Sequence, residues 1–401
     1  MASQLEQEPF PRIRLAVLQR VCPSYRIPLF EKLAAVPTLE VKLFIGDDLP
    51  ESKVRSASNL QSVPHTRVPT RFISLFRRML PWHVGLIDEL RRFAPDVILC
   101  EAESHFLGYL QAIIYSRVLG HRAALLHWCF ISLPGEPVGG KVGRRWLKTF
   151  FRRFFDGFVV YSSFSKDCLI RLGHRPEDIF VSVNVGDTEA FLRKDAEEHS
   201  TKAEARRALG LPNVFTVLYL GTFDAVKRPD QVLDVAQNLD PKRYSFVLLG
   251  SGPLLAPIEE RVRHSGMENV CCKGRVTTEL STYLRASDVL LVPGRGGIVF
   301  SEAMAFGLPV MVHQADGTES DLVLDGKTGV RLQTGQTAEI VAALEALSAD
   351  PERCRRMGEA GRELVRENYT TGAMVKQIAS AVHEVARRKN AGLSRSARTA
   401  A

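Results

Sequence analysis

The sequence lacks the marks of several common metal- and phosphate-handling proteins. No two aspartates are separated by a single residue, so the manganese-binding pair of metal-dependent sugar transferases is missing. The Gly-Lys-Thr at 326–328 has Asp321 where a Walker loop requires its first glycine, so that loop is absent too. The stretches GSGPLL (250–255) and GRGGIV (294–299) start like dinucleotide fingerprints. They end in Leu255 and Val299 instead of glycine, and a nicotinamide enzyme gains little support. The seven cysteines include no CxxC spacing, which argues against a zinc site or a disulfide framework and leaves buried thiols in a reducing compartment as the plain reading. No apolar run reaches the roughly 20 residues of a membrane-spanning helix. The opening MASQLEQEPFPRIR is polar and carries no signal-peptide core. A cytoplasmic location is expected.

What is present fits a large α/β protein. The chain has 401 residues, 45% of them hydrophobic and 24% charged, with 53 Lys and Arg against 45 Asp and Glu. The resulting charge of +8 favours anionic partners, such as nucleotides, phosphates or anionic lipid. No aromatic-basic recognition module appears, so nucleic acid is not expected. Short apolar runs alternate with amphipathic stretches. IRLAVL (13–18), LEVKLFI (39–45), PDVILC (95–100), RAALLHW (122–128) and GFVVYS (157–162) read as buried parallel strands, with crossover helices such as YRIPLFEKLAAV (25–36) between them. Residues 185–212 are polar and break this rhythm. VFTVLYLG (214–221) restarts it, followed by YSFVLLG (244–250), NVCCKG (269–274), DVLLVP (288–293) and PVMV (309–312). The expected organisation is a first domain over 1–190, a linker region over 191–212, a second domain over 213–371, a helix over 372–390 and a disordered basic tail over 391–401.

In an open parallel sheet, ligands sit beyond the carboxyl ends of the strands. Two loops of the second domain therefore matter most. In VPGRGGIVFSEAMAFGLPVMV (292–312), Gly294, Gly296 and Gly297 bare the backbone before a helix whose N-terminus favours phosphate. Glu302 lies about a turn into that helix, among Val299, Phe300, Ala303 and Met304. A carboxylate there is costly unless paired. It could accept hydrogen bonds from ribose hydroxyls, or it could complement the helix dipole or accept a capping bond. In LGTFDAVKRPDQVL (220–233), Lys227 and Arg228 precede another helix. Lys227 could neutralise a pyrophosphate, or the two could be a solvated pair.

Taken in order, LYLGTFDAVKRPDQVL, VLLGSGPL, VCCKGRVTTELSTYLRASDVLLVP, SEAMAFGLPVMV and DGTESDLVLDGKTGVRL resemble the donor-binding domain of the family 4 retaining glycosyltransferases. QRVCPSYRIPLFEKLA, DGFVVYSSFSKDCLIRLGH and DIFVSVNVGDTEAF resemble, more loosely, its acceptor-side domain. The resemblance implies the GT-B architecture, an α/β fold of two tandem Rossmann-like, doubly wound domains facing across a cleft, with the last helix crossing back to the first domain. It implies a nucleotide diphosphate sugar as donor substrate, no cofactor and no metal, and transfer to a hydroxyl of a sugar or lipid-linked glycan in glycan or polysaccharide biosynthesis. Lys227 matches the pyrophosphate lysine, Glu302 the ribose-binding second glutamate of a paired motif, and Gly297 a glycine whose backbone approaches the sugar phosphate. Glu319 matches a structural acid. His127 matches a histidine near the sugar, although a buried, hydrogen-bonded His at a strand end fits equally. The residues implied for catalysis are Lys227, Glu302 and His127. Those implied for donor binding are Thr222, Arg228, Gly294, Arg295, Gly296, Gly297, Ile298 and Glu302.

The chain departs from the pattern twice. Gly294 occupies the place of the family's first glutamate, and Thr222 that of an arginine before the phosphate lysine. Arg295 is a candidate to replace the lost positive charge. A non-catalytic binder of nucleotide sugar or of a partner, and a nucleotide-sugar epimerase, remain as alternatives. KVGRRWLKTFFRRFFDGF (141–158) and TRFISLFRRMLPWHVGLIDELRRF (70–93) mix basic and aromatic residues. The first reads as a crossover helix with one solvated basic face. The other reading is peripheral contact with an anionic membrane at its inner face.

Overall fold

The buried parallel strands expected from the apolar runs form two separate sheets in the computed structural model, which describes residues 12–48, 55–57, 60–75, 78–101, 107–138, 149–276 and 278–399. The first sheet contains β1 (Ile13–Gln19), β2 (Leu39–Ile45), β3 (His65–Arg67), β6 (Val97–Glu101), β7 (Ala124–Cys129), β8 (Gly157–Val160) and β9 (Ile179–Val181). Between β3 and β6 the chain makes an antiparallel hairpin of β4 (Thr70–Leu75) and β5 (Arg78–His83). The second sheet contains β10 (Phe215–Leu220), β11 (Tyr244–Leu249), β12 (Val270–Cys272), β13 (Val289–Val292), β14 (Val310–Val312) and β15 (Gly329–Arg331). The strand orders are β3-β2-β1-β6-β7-β8-β9 and β12-β11-β10-β13-β14-β15, and every pairing in both sheets is parallel.

Both faces of each sheet are covered, which is why the strands are continuously apolar rather than alternating. On β1, Leu15 and Val17 face one core while Ala16 and Leu18 face another with Leu86 and Leu90. On β10, Leu218 packs toward Phe300 and Met304, and Val217 and Tyr219 toward Val232 and Leu344. The edge strands β3, β9, β12 and β15 are only three residues long. Short edges offer little unpaired backbone to other chains.

The region expected to link the domains is more structured than its polarity suggests. Helices Thr188–Glu197 and Lys202–Ala208 fill it, and both pack on the second lobe. Phe191 lies edge-on to Phe306, at 6.2 Å. The crossing point is therefore tighter, around Val183–Gly186. The second crossing lies beside it: Thr371 donates from Oγ1 to the Gly186 carbonyl (3.1 Å) and from its amide to Thr188 Oγ1 (3.2 Å), and the Gly372 amide donates to Glu189 (3.0 Å). The last helix, Thr371–Thr399, then returns to the first lobe. Met374, Val375, Ile378, Ala381, Val382 and Val385 recur at helical spacing and are buried. The helix runs on to Thr399.

The two basic-aromatic stretches resolve differently. Residues 70–93 form the hairpin followed by helix Leu86–Phe93, not one amphipathic surface. Residues 141–148, with Lys141, Arg144, Arg145, Trp146 and Lys148, lie outside the described residues. Arg152 is buried, 4% exposed, and so does not contribute to a surface charge. No helix among the described residues is long and apolar enough to cross a membrane.

Candidate active site at the facing sheet edges

In each sheet the strand order reverses direction at one point, between β1 and β6 in the first and between β10 and β13 in the second. Loops beyond the carboxyl ends of strands at such a point diverge and leave a crevice. In the second lobe those loops are residues 221–228 and 293–297, the two that carry the predicted donor residues.

The first loop is shaped by Asp224. Its Oδ1 accepts from the amides of Val226 and Lys227 (3.1 Å each), and its Oδ2 from Thr222 Oγ1 (2.7 Å). Thr222 thus holds the turn together from an exposed position. Arg228 is also exposed and has φ +53, a left-handed turn just before Pro229 starts helix Pro229–Ala236. Lys227 is partly buried, and its ammonium makes no hydrogen bond or ion pair with the described residues. Burial holds its pKa below the ordinary lysine value against the pull of Asp316 and Asp224, and Arg295 pushes the same way as burial.

The second loop rests on the first. The Arg295 amide donates to the Val226 carbonyl (3.1 Å). A Cβ on Gly294 would sit 2.4 Å from that carbonyl oxygen and 2.7 Å from the Lys227 carbonyl carbon. The glycine that replaces the family's first glutamate is thus the residue that lets the loops touch. Gly296 is equally constrained: a Cβ there would meet the Phe300 ring at 2.7 Å. Gly297 has φ +145 and caps helix Ile298–Ala305 without a side-chain bond, leaving the first amides of that helix, beginning with Ile298, facing the crevice.

Glu302 projects from the next turn of the helix. Its carboxylate takes no hydrogen bond from the described residues, so the capping role is not the one realised. Burial alone raises its pKa from an ordinary 4.5 to about 7. It lies against the crossing segment: a Cβ on Gly186 would be 2.9 Å from its Oε1. Neither Gly186 nor Asp316 was singled out from sequence. Asp316 lies against Gly297, its Oδ2 2.2 Å from where a Cβ would be. Burial raises its pKa although Thr318 donates to it from both amide and hydroxyl. A glycine before an aspartate in the polar linker, and an acid in the loop after β14, were the available signals. Glu319 is fully buried and accepts from the amides of Ala315 (3.1 Å) and Gly317 (2.7 Å), a structural brace for this loop.

The carboxyl edges of the two sheets face each other. Arg295 pairs with Glu136 of the first lobe at 3.2 Å, so its guanidinium is committed across the cleft rather than held toward Lys227. The Ser163 amide and hydroxyl both donate to Asp321, the amide at 2.9 Å. Gly135 lies against the Gln314 side chain and Gly317 against Ser162. Lys227, Gly294, Gly296, Gly297 and Glu302 are therefore brought to one crevice wall. His127 lies elsewhere, within β7 of the first lobe, buried with its ring 5.0 Å from Phe155 and 5.7 Å from Phe158. Among the described residues no group of three or more His, Cys, Asp or Glu is arranged to hold a metal ion.

This geometry agrees with comparison to known proteins. Residues 201–364 match the family of glycosyl transferases group 1. That match covers most of the second lobe and the helix that precedes it. Curated relatives include α-D-kanosaminyltransferase of Streptomyces kanamyceticus, 29% identical over 199 residues, or 48% of this chain and 51% of that one. Another is the GDP-mannose-dependent α-(1-6)-phosphatidylinositol monomannoside mannosyltransferase of Mycolicibacterium smegmatis, 29% identical over 215 residues, or 49% and 55% of the two chains. The chain spans about half the length of these relatives. Anabaena HepE in complex with UDP superposes with a TM-score of 0.72 at 17% identity, over 93% of this chain and 100% of that one. Sucrose-phosphate synthase of Thermosynechococcus elongatus does so with 0.69 at 19% identity, over 93% and 99%. The matched region thus sits in a GT-B fold, as the resemblance in sequence implied.

Proposed function

We propose that the protein is a retaining glycosyltransferase that moves a sugar from a nucleotide diphosphate sugar to a hydroxyl acceptor in glycan or polysaccharide biosynthesis. One observation carries this reading: Lys227 and the buried carboxyl group of Glu302, neither with a hydrogen-bond or ion-pair partner among the described residues, share one crevice wall with the open helix start at Gly297–Ile298. A diphosphate against Lys227 and those amides satisfies the first charge. A ribose donating two hydroxyls satisfies the second. As the sugar leaves, negative charge grows on the diphosphate and strengthens the Lys227 contact, which is the interaction that lowers the barrier. Because Lys227 and the helix amides supply this charge, transfer proceeds without a divalent metal. The relatives' names, a kanosaminyl- and a mannosyltransferase, support hexose transfer. The UDP-bound fold relative supports a nucleotide donor.

In this reading the acceptor hydroxyl attacks from the face of the leaving diphosphate, whose oxygen takes the proton, and no side chain acts as nucleophile. Arg228 and Arg295 add positive potential at the crevice rim, and Thr222 fixes the lysine loop. The test is transfer assayed over a panel of UDP- and GDP-hexoses with and without EDTA. Transfer should persist in EDTA. Lys227→Ala should cut kcat/KM by about a hundredfold or more, the scale of losing one transition-state donor. Gly294, standing where an acid is implied, favours a second reading, a nucleotide-sugar binder without turnover. Nucleotide-dependent stabilisation with no transfer or hydrolysis of any donor would select it.

A further inference from the structure

The first lobe, across the cleft from Lys227 and Glu302, holds a buried cation with no ion-pair partner among the described residues. Arg26 ends the short turn Ser24–Arg26 beyond β1, in the loop at the first lobe's own switch point. It is 8% exposed. Its guanidinium lies 4.7 Å from the Trp128 ring centroid, 5.4 Å from that of Tyr161 and 5.8 Å from that of Tyr25. Nη2 donates to the Tyr161 hydroxyl at 3.1 Å. Nη1 is buried and has no partner among the described residues, and no described carboxylate forms an ion pair with Arg26. The charge of Glu101, at the end of β6, favours the protonated form of Arg26. The same strand ends carry more donors in the same condition: Gln19 Nε2 at the end of β1, Arg20 Nη1 beside it and Trp128 Nε1 on β7, all buried and without partners.

An arginine side chain stays protonated, so burial cannot neutralise it as it does a lysine. Aromatic faces hold a guanidinium in place and attract its charge but accept only weakly along its N–H bonds. A fixed, desolvated cation, with further desolvated donors at the same strand ends and no acceptor for them among the described residues, matches a bidentate anion. The diphosphate of the donor is met on the other wall by Lys227, so this second cation answers a second anion. We propose that Arg26, assisted by Gln19 and Arg20, binds a carboxylate or phosphate carried by the acceptor, making the enzyme selective for anionic acceptor glycans. The assignment of the anion to the acceptor rests on the transferase reading, whereas the anion site itself does not.

The full chain is first saturated with UDP or GDP, whichever raises its melting temperature more, and then titrated calorimetrically with glucuronate, glucose 1-phosphate and glucose. Wild type should bind at least one charged probe ten times more tightly than glucose or better. Glucuronate leading assigns a carboxylate, and glucose 1-phosphate leading assigns a phosphate. Arg26→Gln should erase the preference while leaving nucleotide affinity within twofold, and Arg26→Lys should keep part of it. Equal binding of all three probes by wild type, or a preference that survives in Arg26→Gln, overturns the proposal. Should Arg26→Gln fail to fold, the wild-type comparison and Arg26→Lys decide. If wild type binds no nucleotide, the donor reading fails, and the same titrations without nucleotide still decide the anion site.

Discussion

Glu302 is a carboxyl group whose surroundings favour its neutral form. Folding lifts its pKa from 4.5 to about 7 by burial. The folded state therefore holds this proton between those values while the unfolded state has lost it. Stability from this group is full below about pH 4.5, falls as pH rises through the window and is flat above it. The loss is at most about 3 kcal/mol. Glu302→Gln should thus match wild type near pH 4.5 and exceed it in denaturant resistance at pH 8 without ligand, while binding nucleotide more weakly. Parallel pH profiles for the two proteins would refute this. Gly294 gives a second expectation. Gly294→Glu restores the family's acid in sequence only, because its Cβ would strike the Val226 carbonyl. It should lower stability by about 1–3 kcal/mol and bring no gain in transfer, measured by thermal unfolding alongside the donor assay.

Among the elements, the last helix is the one that decides whether the lobes hold together. It starts at the crossing point, bonded through Thr371 to Gly186 and Thr188, and buries its apolar stripe on the first lobe. Ile378 is fully buried in that stripe, and Lys376, two residues earlier, is exposed. Ile378→Ala should cost about 2–5 kcal/mol through lost transfer energy and a cavity. Lys376→Ala should change stability by less than about 0.5 kcal/mol. Chemical denaturation of both variants checks the pair, and a similar small cost for each would mean that the helix does not anchor the lobe.

At the scale of the whole molecule, few contacts among the described residues bridge the cleft. Arg295 with Glu136 and Ser163 with Asp321 join loops of opposite lobes, while the crossing segments tie the hinge. Exposed ion pairs contribute little, and a lone surface bridge is worth about 1 kcal/mol or less. Lobe opening is therefore an accessible motion, and in the proposed transfer closure would exclude water that hydrolyses a donor. Combined Glu136→Ala and Ser163→Ala should enlarge the radius of gyration of the unliganded protein in small-angle scattering, with nucleotide restoring the compact form. Identical scattering from variant and wild type would show that these bridges do not set the closed state.

The sequence by itself determined the strands, the two-lobed α/β plan and the place of the glycine- and lysine-bearing loops at the strand ends. Continuous apolar runs such as FVLL can be satisfied only between covering helices, and Gly294–Gly297 and Lys227 sit at fixed offsets from β13 and β10. The tertiary structure alone decided what surrounds each charge. Glu302 is buried against Gly186, which lies more than a hundred positions earlier. Arg295 is drawn to Glu136, and Arg26 is enclosed by Trp128 and Tyr161. The physical reason is range. Backbone periodicity and turn chemistry act over a few neighbouring residues, whereas desolvation and pairing of a charge depend on groups that only the folded chain brings near.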